Sequence, residues 1–315
     1  MGSSKSKNKA KKLQKNQSVQ IDKQLSKEKE KLSLDLSILL LGTGESGKTT
    51  FIKQASILYK GGFNELDKQL YPKTIRRNAI TYMKELISAA QILELDLPEE
   101  IEQAFFQFRR FNLFQNSDQQ SHIFDDIERV SQDDYEPTDK DILFCRIPTT
   151  GINFLTFEHK SRNWKVIDVG GQRSERRKWI HTFDNVNFLI YVVAINEFDQ
   201  ALFEEHTQNR MQESLEFFSE MVNNQYFKDK NCILLFNKMD LFKAKIQKVD
   251  LNVCFPEYNG GKNYENALSF IQKTFLSVAQ NSNRTITPLY VCATETKEMQ
   301  DLFEQVFDII LKHLN

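Results

Sequence analysis

Gly42, Gly47, Lys48 and Thr49 stand in the order G-x-x-x-x-G-K-[ST], directly after the apolar run Leu39-Leu40-Leu41. Glycines in such a turn let the backbone curl with its N–H groups pointing inward at anionic oxygens. A lysine at that place lies along the β- and γ-phosphates of a nucleotide, and the hydroxyl after it is offered to Mg²⁺. Residues 50–59 predict a helix whose N-terminus adds partial positive charge to the same spot. The chemistry implied is phosphate binding; a Gly-rich β-to-α turn with an incidental lysine is the bland alternative.

Two more motifs carry chemistry. Asp168-Val169-Gly170-Gly171-Gln172 follows a strand pattern at 164–169, where an acid can hold a water on Mg²⁺ and a glycine can offer its N–H to a γ-phosphate. Asn237-Lys238-Met239-Asp240 closes the apolar run 232–236, and the Asp240 carboxylate can accept both the N1–H and the 2-amino hydrogens of guanine. Adenine offers no such pair, and a buried acceptor left unpaired is costly, so the discrimination is expected to be large. Cys292-Ala293-Thr294 could bring the Ala293 N–H to the guanine O6, a weak signal without the others.

The elements that must position these groups alternate. Strand patterns occur at 153–157, 164–169, 188–195, 232–236 and 289–292, and helical patterns at 210–221, 264–278 and 297–314. Such alternation predicts a doubly wound parallel sheet with its ligand at the carboxyl ends of the strands, where every motif above falls. Between Gly61-Gly62 and Asp141 the pattern changes. Ile75, Ala79, Met83, Leu86, Ile87 and Ala90 recur at helical spacing, with shorter helical patterns at 99–111 and 122–130 and no convincing strand. Residues 63 to about 142 are expected to form an all-helical insert, with Phe105, Phe106, Phe108, Phe111 and Phe114 serving its core rather than a ligand.

Composition bounds the rest. At 315 residues, 40% hydrophobic and 27% charged, the chain is long enough for a sizeable core. A net charge of −1 gives no argument for nucleic acid. The four cysteines are far apart with no C-x-x-C pair, which suits reduced thiols in a cytosolic protein. No apolar run approaches the roughly 18–20 residues that cross a bilayer. The start Met1-Gly2-Ser3-Ser4-Lys5-Ser6 fits M-G-x-x-x-[ST], and Lys5, Lys7, Lys9, Lys11, Lys12 and Lys15 follow without an acid. An N-myristoylated Gly2 beside a polybasic patch would hold the chain on an anionic inner leaflet; a plain lysine tail, or a start foreign to the protein, is the alternative. Residues 17–34 have only Ile21, Leu25 and Leu32 near one face, which predicts a projecting helix waiting for a partner.

Together these motifs resemble the α subunits of heterotrimeric G proteins over essentially the whole chain. Gly42-Thr43-Gly44-Glu45-Ser46-Gly47-Lys48-Thr49 is similar to that family's phosphate loop, and Arg146-Ile147-Pro148-Thr149-Thr150-Gly151 to its first switch. The stretch from Asp168 to Trp179 is similar to its second switch, Asn237-Lys238-Met239-Asp240-Leu241-Phe242 to its guanine motif, and Cys292-Ala293-Thr294 to its last base loop. The helical insert separates this family from small monomeric GTPases. The resemblance implies a P-loop GTPase fold, a doubly wound mostly parallel α/β sheet flanked by helices, with an inserted all-helical domain. It divides the chain into a membrane- and partner-binding tail (1–35), a Ras-like GTPase domain (36–61 and 143–315) and the insert (62–142).

The function implied is a guanine-nucleotide switch that slowly hydrolyses GTP and carries signals from G protein-coupled receptors to effectors. Gln172 would orient the attacking water and Arg146, supplied in cis, would meet the charge of the transition state. Nucleotide contacts carried over are Gly42, Glu45, Ser46, Gly47, Lys48, Thr49, Thr50, Asp118, Leu143, Arg146, Thr149, Gly171, Asn237, Lys238, Asp240, Cys292, Ala293 and Thr294. Mg²⁺ would sit on Thr49 and Thr149, with Asp168 acting through water. Glu45 would pair with Arg146, and Asp118 would reach across to Lys238. Glu204 and Glu205 resemble a third switch that contacts arginines of the second; capping a solvated face is the alternative. A surface including Arg176, Lys178 and Trp179 would change shape on hydrolysis.

Implied partners are a βγ dimer, a receptor, an effector, an RGS-type regulator and, through the N-terminus, the inner membrane leaflet, with no nucleic acid. The implied location is the cytoplasmic face of the plasma membrane and the cytoplasm. Three features depart from the family pattern: Ser3 replaces a cysteine open to palmitoylation, Val291 replaces a threonine, and the chain ends at Asn315, short of the usual receptor-contacting tail. Two other classes compete, a GTP-dependent scaffold with negligible turnover and a P-loop kinase or ATPase.

Overall fold

The structure is a computed structural model describing residues 35–92, 122–183 except 124, 186–202, 205, 207–279 and 284–314. The lysine-rich start with Gly2, the expected helix at 17–34, the pattern at 99–111 with its phenylalanines, Asp118 and Glu204 lie outside the described residues. In chain order the main elements are β1 (Asp35–Leu41), α1 (Lys48–Lys60), α2 (Glu65–Gln69), α3 (Pro72–Ile92), α4 (Ile127–Ser131), α5 (Asp139–Phe144), β2 (Ile152–His159) and β3 (Arg162–Val169). A 3₁₀ stretch, Arg173–Thr182, leads to β4 (Phe188–Ala194), α6 (Arg210–Val222), β5 (Cys232–Asn237), α7 (Met239–Ile246), α8 (Tyr264–Ser277), β6 (Ile286–Val291) and α9 (Thr296–Leu314).

The six strands lie in the order β2-β3-β1-β4-β5-β6. Only β2 runs antiparallel, against β3; the β1–β3, β1–β4, β4–β5 and β5–β6 pairs are parallel. The carboxyl ends of five strands therefore emerge on one side of the sheet, and each leads into one of the loops that could carry chemistry. A central parallel strand is covered on both faces, so β4 (FLIYVVA) and β5 (CILLFN) are buried at every residue. Period-two alternation then deals successive residues to opposite faces. Leu39, Leu41, Tyr191 and Val193 join Phe217, Phe218 and Phe275 on the side of α6 and α8. Leu40, Ile190 and Val192 join Phe51, Phe303 and Phe307 on the side of α1 and α9.

The chain differs from its sequence reading in three places. β6 begins at Ile286 rather than 289 and includes Pro288, which an edge strand tolerates because no further strand needs its N–H. On α3 the buried face runs through Ile75, Ala79 and Tyr82, while Met83 is 42% exposed. Met83 stands one turn after Ala79 and keeps the helical spacing, as does the buried Ile87 one turn later, yet the Met83 side chain is left uncovered. Trp179 belongs to the interior, 2% exposed and edge-on to Phe217 at 5.0 Å, so it is not part of the surface of the second switch.

A third, smaller core of Ile75, Ala79, Tyr82, Ile123, Val130 and Tyr135 lies in the helical insert. It ends in α5, whose start is fixed by a reciprocal capping box between Thr138 and Asp141. Arg129 on α4 donates to both Asp141 oxygens at 2.8 Å, tying α4 to that cap. The segment leading to Arg146 is thus anchored at its upstream end.

Candidate functional site

β1 ends at Leu41 and the chain turns at once through Gly42, whose φ of 141° and whose approach to the Val192 carbonyl leave no room for a side chain. Gly47 opens α1 at φ 107°, pressed against the Asn237 amide. Inside the loop Lys48 donates from Nζ to the carbonyls of Gly42 (2.9 Å) and Thr43 (2.7 Å). Burial pulls its pKa down to about 8, against the opposing pull of Asp168.

Three oxygens meet beside it. Thr49 Oγ1 donates to Asp168 Oδ2 at 2.8 Å and lies 2.6 Å from Thr149 Oγ1. Asp168 is 2% exposed, and its Oδ1 is buried with no hydrogen-bond partner among the described residues. Burial pushes its carboxyl above the ordinary carboxylate range, with Lys48 opposing. Two hydroxyls and a buried carboxylate with an unsatisfied oxygen form a hard-oxygen donor set, so these residues fit Mg²⁺.

Asn237 stitches the phosphate loop to the last strand. Its Nδ2 donates to the Ser46 carbonyl at 2.9 Å, and its Oδ1 accepts the Ala293 N–H at 2.9 Å. The amide that the sequence reading directs at guanine O6 is therefore engaged within the protein. Gln54 on α1 holds the Ala293 carbonyl at 3.0 Å. Lys238 sits in a left-handed conformation, φ 65°, and bonds Glu197 through Nζ at 2.9 Å. Glu197 in turn accepts from Arg210 Nε at 2.8 Å, and Arg210 reaches the Gly44 carbonyl (2.9 Å) and Glu45 (3.1 Å). Glu45 also ion-pairs with Arg146. One chain of opposite charges thus runs from the guanine motif to the linker arginine.

Glu197 and Arg210 are absent from the residues that sequence reasoning singles out. The available signal is position: Glu197 lies just past the carboxyl end of β4, and Arg210 is the first residue of α6, aimed by Asn209, which caps that helix through the N–H groups of Met211 and Gln212.

A single cleft gathers most of the expected residues. Glu45, Gly47, Lys48, Thr49, Thr50, Arg146, Thr149, Gly171, Gln172, Asn237, Lys238, Cys292, Ala293 and Thr294 line it, joined by Lys53, Glu197 and Leu241. Gly42, Ser46, Leu143, Asp168 and Asp240 are not on its lining. Gly42 and Ser46 shape the loop from behind, Leu143 is packed inside α5, and Asp240 stands exposed in the first turn of α7. Burial pushes the neighbouring Cys292 thiol up to about 12, with Asp240 adding to the rise, so Asp240 lies beside the last base loop. The other half of the expected Asp118–Lys238 pair is outside the described residues, and the Lys238 ammonium is bonded to Glu197.

The two loops expected to move are joined to each other. The Gly151 N–H donates to Glu175 at 2.7 Å, the Gly170 N–H to the Gly151 carbonyl at 3.3 Å, and Trp179 Nε1 to the Gly170 carbonyl at 3.0 Å. Arg173 bonds Glu205 at 2.8 Å, and both Arg173 and Arg176 pair with the buried Glu213. Between the two readings of Glu205, contact with an arginine of the second switch is the arrangement present. A Cβ on Gly171 would lie 2.6 Å from the Thr43 carbonyl and 2.5 Å from Lys48 Nζ. Gly171→Ala is therefore expected to hold this loop off the phosphate loop. It should abolish the GTP-dependent change in fluorescence from Trp179, the reporter tethered to Gly170; an undiminished change would refute the steric argument.

The fold and loop together define the P-loop GTPase class, and comparison with known proteins agrees. The family model described as G-protein alpha subunit matches residues 15–107 and 98–310. The chain is 38% identical to the guanine nucleotide-binding protein G(o) subunit alpha of Locusta migratoria, over 93% of each chain, and 37% identical to that of Caenorhabditis elegans, over 92% of each. A guanine nucleotide-binding protein subunit alpha from Emericella nidulans is 35% identical over 93% of each chain. The chain belongs to the G-protein α-subunit family and is a GTPase.

Proposed function

We propose that the chain is a GTP-driven switch in receptor signalling, turning over slowly and changing its partners with the state of its nucleotide. The observation that carries this reading is the convergence of Lys48, Thr49, Thr149 and the unsatisfied Asp168 oxygen below Gly171. Both mobile loops meet the phosphate loop at that point, so the presence of a terminal phosphoryl group would be felt by both at once.

In this reading Lys48 and the loop amides bind the β- and γ-phosphates, while Thr49, Thr149 and, through water, Asp168 hold Mg²⁺. When bound, Mg²⁺ neutralises charge on the phosphate oxygens. Gln172, which lines the cleft beside Gly44, orients a water whose oxygen bonds to the γ-phosphorus. The bond from that phosphorus to the bridging oxygen breaks, leaving GDP and phosphate. Arg146 leaves Glu45 to meet the charge developing on that bridge; lysine would lack the planar two-point donation. Release of phosphate would untie Thr149 and Gly171 and alter the surface around Arg176 and Lys178.

A βγ dimer is the proposed partner of that surface in the GDP state, with a receptor, an effector and an RGS-type regulator as the remaining partners. The Lys-rich start and a myristoylated Gly2 would place the chain at the cytoplasmic face of the plasma membrane. Single-turnover hydrolysis of radiolabelled GTP, with ATP as competitor, tests the reading: GTP should be bound in preference and cleaved, and equal competition by ATP would refute it. Asp240→Asn should weaken that preference, because the carboxylate that pairs with guanine is lost; unchanged guanine selectivity would count against the base assignment.

A further inference from the structure

Arg146 stands in the linker between α5 and β2, where Ile147, Pro148 and Thr150 are exposed. Glu45 pairs with the guanidinium at its tip, but so open a segment would not by itself fix the main chain from which that side chain springs. Two side chains from different parts of the molecule grip the main chain at its root. Lys53, on α1 of the nucleotide-binding unit, donates from Nζ to the Cys145 carbonyl at 2.6 Å. Asn78, on α3 of the helical insert, accepts the Arg146 N–H at Oδ1, 3.0 Å away, and the same oxygen lies 3.4 Å from Cys145 Sγ. The Cys145 carbonyl and the Arg146 N–H belong to one peptide group, so both of its polar ends are held, from opposite sides and by separate elements.

We propose that Lys53 and Asn78 are positioning residues for GTP hydrolysis, clamping the Cys145–Arg146 peptide plane so that the Arg146 guanidinium starts from a fixed place. The inference rests on the role assigned to Arg146 above. It also gives the helical insert a part in catalysis: the insert supplies one jaw of the clamp.

The setting of Lys53 favours this over a merely structural role. The residue is 7% exposed, burial pulls its pKa down to about 8, and no ion pair to it occurs among the described residues. The Asp168 carboxylate offsets part of that burial but does not bond the ammonium, and a lysine buried without a direct ion pair costs the fold stability, so a site selected only for packing would be served better by an apolar side chain of similar length. Lys53 also lines the cleft, so direct contact with the nucleotide is the rival explanation, and it makes a different prediction for binding.

The test uses the full chain preloaded with GTP, in single turnover, with Lys53→Met, Asn78→Ala, Asn78→Asp and Arg146→Cys, and with Lys53→Met and Asn78→Ala each combined with Arg146→Cys. Misplacement of a catalytic group by about 1 Å costs on the order of 10²-fold, so Lys53→Met and Asn78→Ala should each slow hydrolysis by about 10- to 100-fold. Asn78→Asp, which keeps the acceptor, should restore it to within about threefold of the parent. Dissociation of a fluorescent GTP analogue should change by less than about threefold, and the melting temperature of Lys53→Met should hold or rise. In the Arg146→Cys background neither change should slow hydrolysis further, because both act through that arginine.

Additive losses in that background would overturn the proposal, as would nucleotide dissociation that accelerates in step with the loss of hydrolysis. Parental hydrolysis by Lys53→Met and Asn78→Ala beside a slow Arg146→Cys would overturn the clamp and leave the role of Arg146 standing. Parental hydrolysis by Arg146→Cys would overturn both. Should Lys53→Met fail to fold, the Asn78 pair alone decides, Asn78→Ala slow and Asn78→Asp restored.

Discussion

Arg146→Cys is expected to bind GTP about as tightly as the parent and to hydrolyse it on the order of 10³-fold more slowly. An arginine that meets the transition-state charge is worth about 10³–10⁵ in rate across this class of GTPases, or about 4–7 kcal/mol, magnitudes that belong to the class as a whole rather than to the distances in this site. The geometry supplies the direction of the effect. Arg146 is half-buried at the edge of the cleft and ion-paired with Glu45, which Arg210 also holds. Its ground-state contact is to a protein carboxylate, so its loss should be felt in the rate rather than in affinity. Burial and the nearby positive charge of Arg210 both pull the guanidinium pKa below its ordinary value, yet an arginine remains charged. Turnover within threefold of the parent, measured in single turnover to exclude product release, would refute the assignment.

Gln172→Leu should slow hydrolysis by about 10²-fold or more, again with little change in nucleotide affinity. The side chain is exposed at the cleft edge just after Gly171, where its amide can orient a water and makes no hydrogen bond to the helical turn it precedes. Leucine preserves bulk and removes both donor and acceptor, so what is lost is orientation of the nucleophile, and effects of that kind are large. Because Gln172 and Arg146 address opposite ends of one displacement, the double variant should be little worse than the slower single one. A double variant slower by the full product of the two losses would show that they act independently.

Much of the site is legible before folding because its chemistry is carried by short contiguous runs. A phosphate loop needs its glycines, lysine and threonine within eight residues, since one turn of backbone makes the whole cradle. The strands leading into each motif announce themselves as apolar runs, because a central parallel strand is buried on both faces. What could not be read were contacts between residues far apart in the chain. Glu197 looks like any acid after a strand until Lys238 and Arg210 close on it. Lys53 looks like one more exposed lysine of a helix until the Cys145 carbonyl is found above it. Trp179 sits in a run of charged residues, SERRKW, that reads as surface, yet Phe217 and the Gly170 carbonyl draw it inside.

The sequence by itself determined the family, the phosphate chemistry and the order of strands and helices, because local spacing, turn residues and periodicity act over a few residues and survive without a partner. Tertiary structure alone decided how the charges are shared: which carboxylate holds Lys238, which arginine links Glu197 to Glu45, and which two side chains grip the peptide before Arg146. Pairing of that kind depends on burial and on distances of about 3 Å between segments far apart in the chain, and nothing in a linear pattern encodes a distance across the fold.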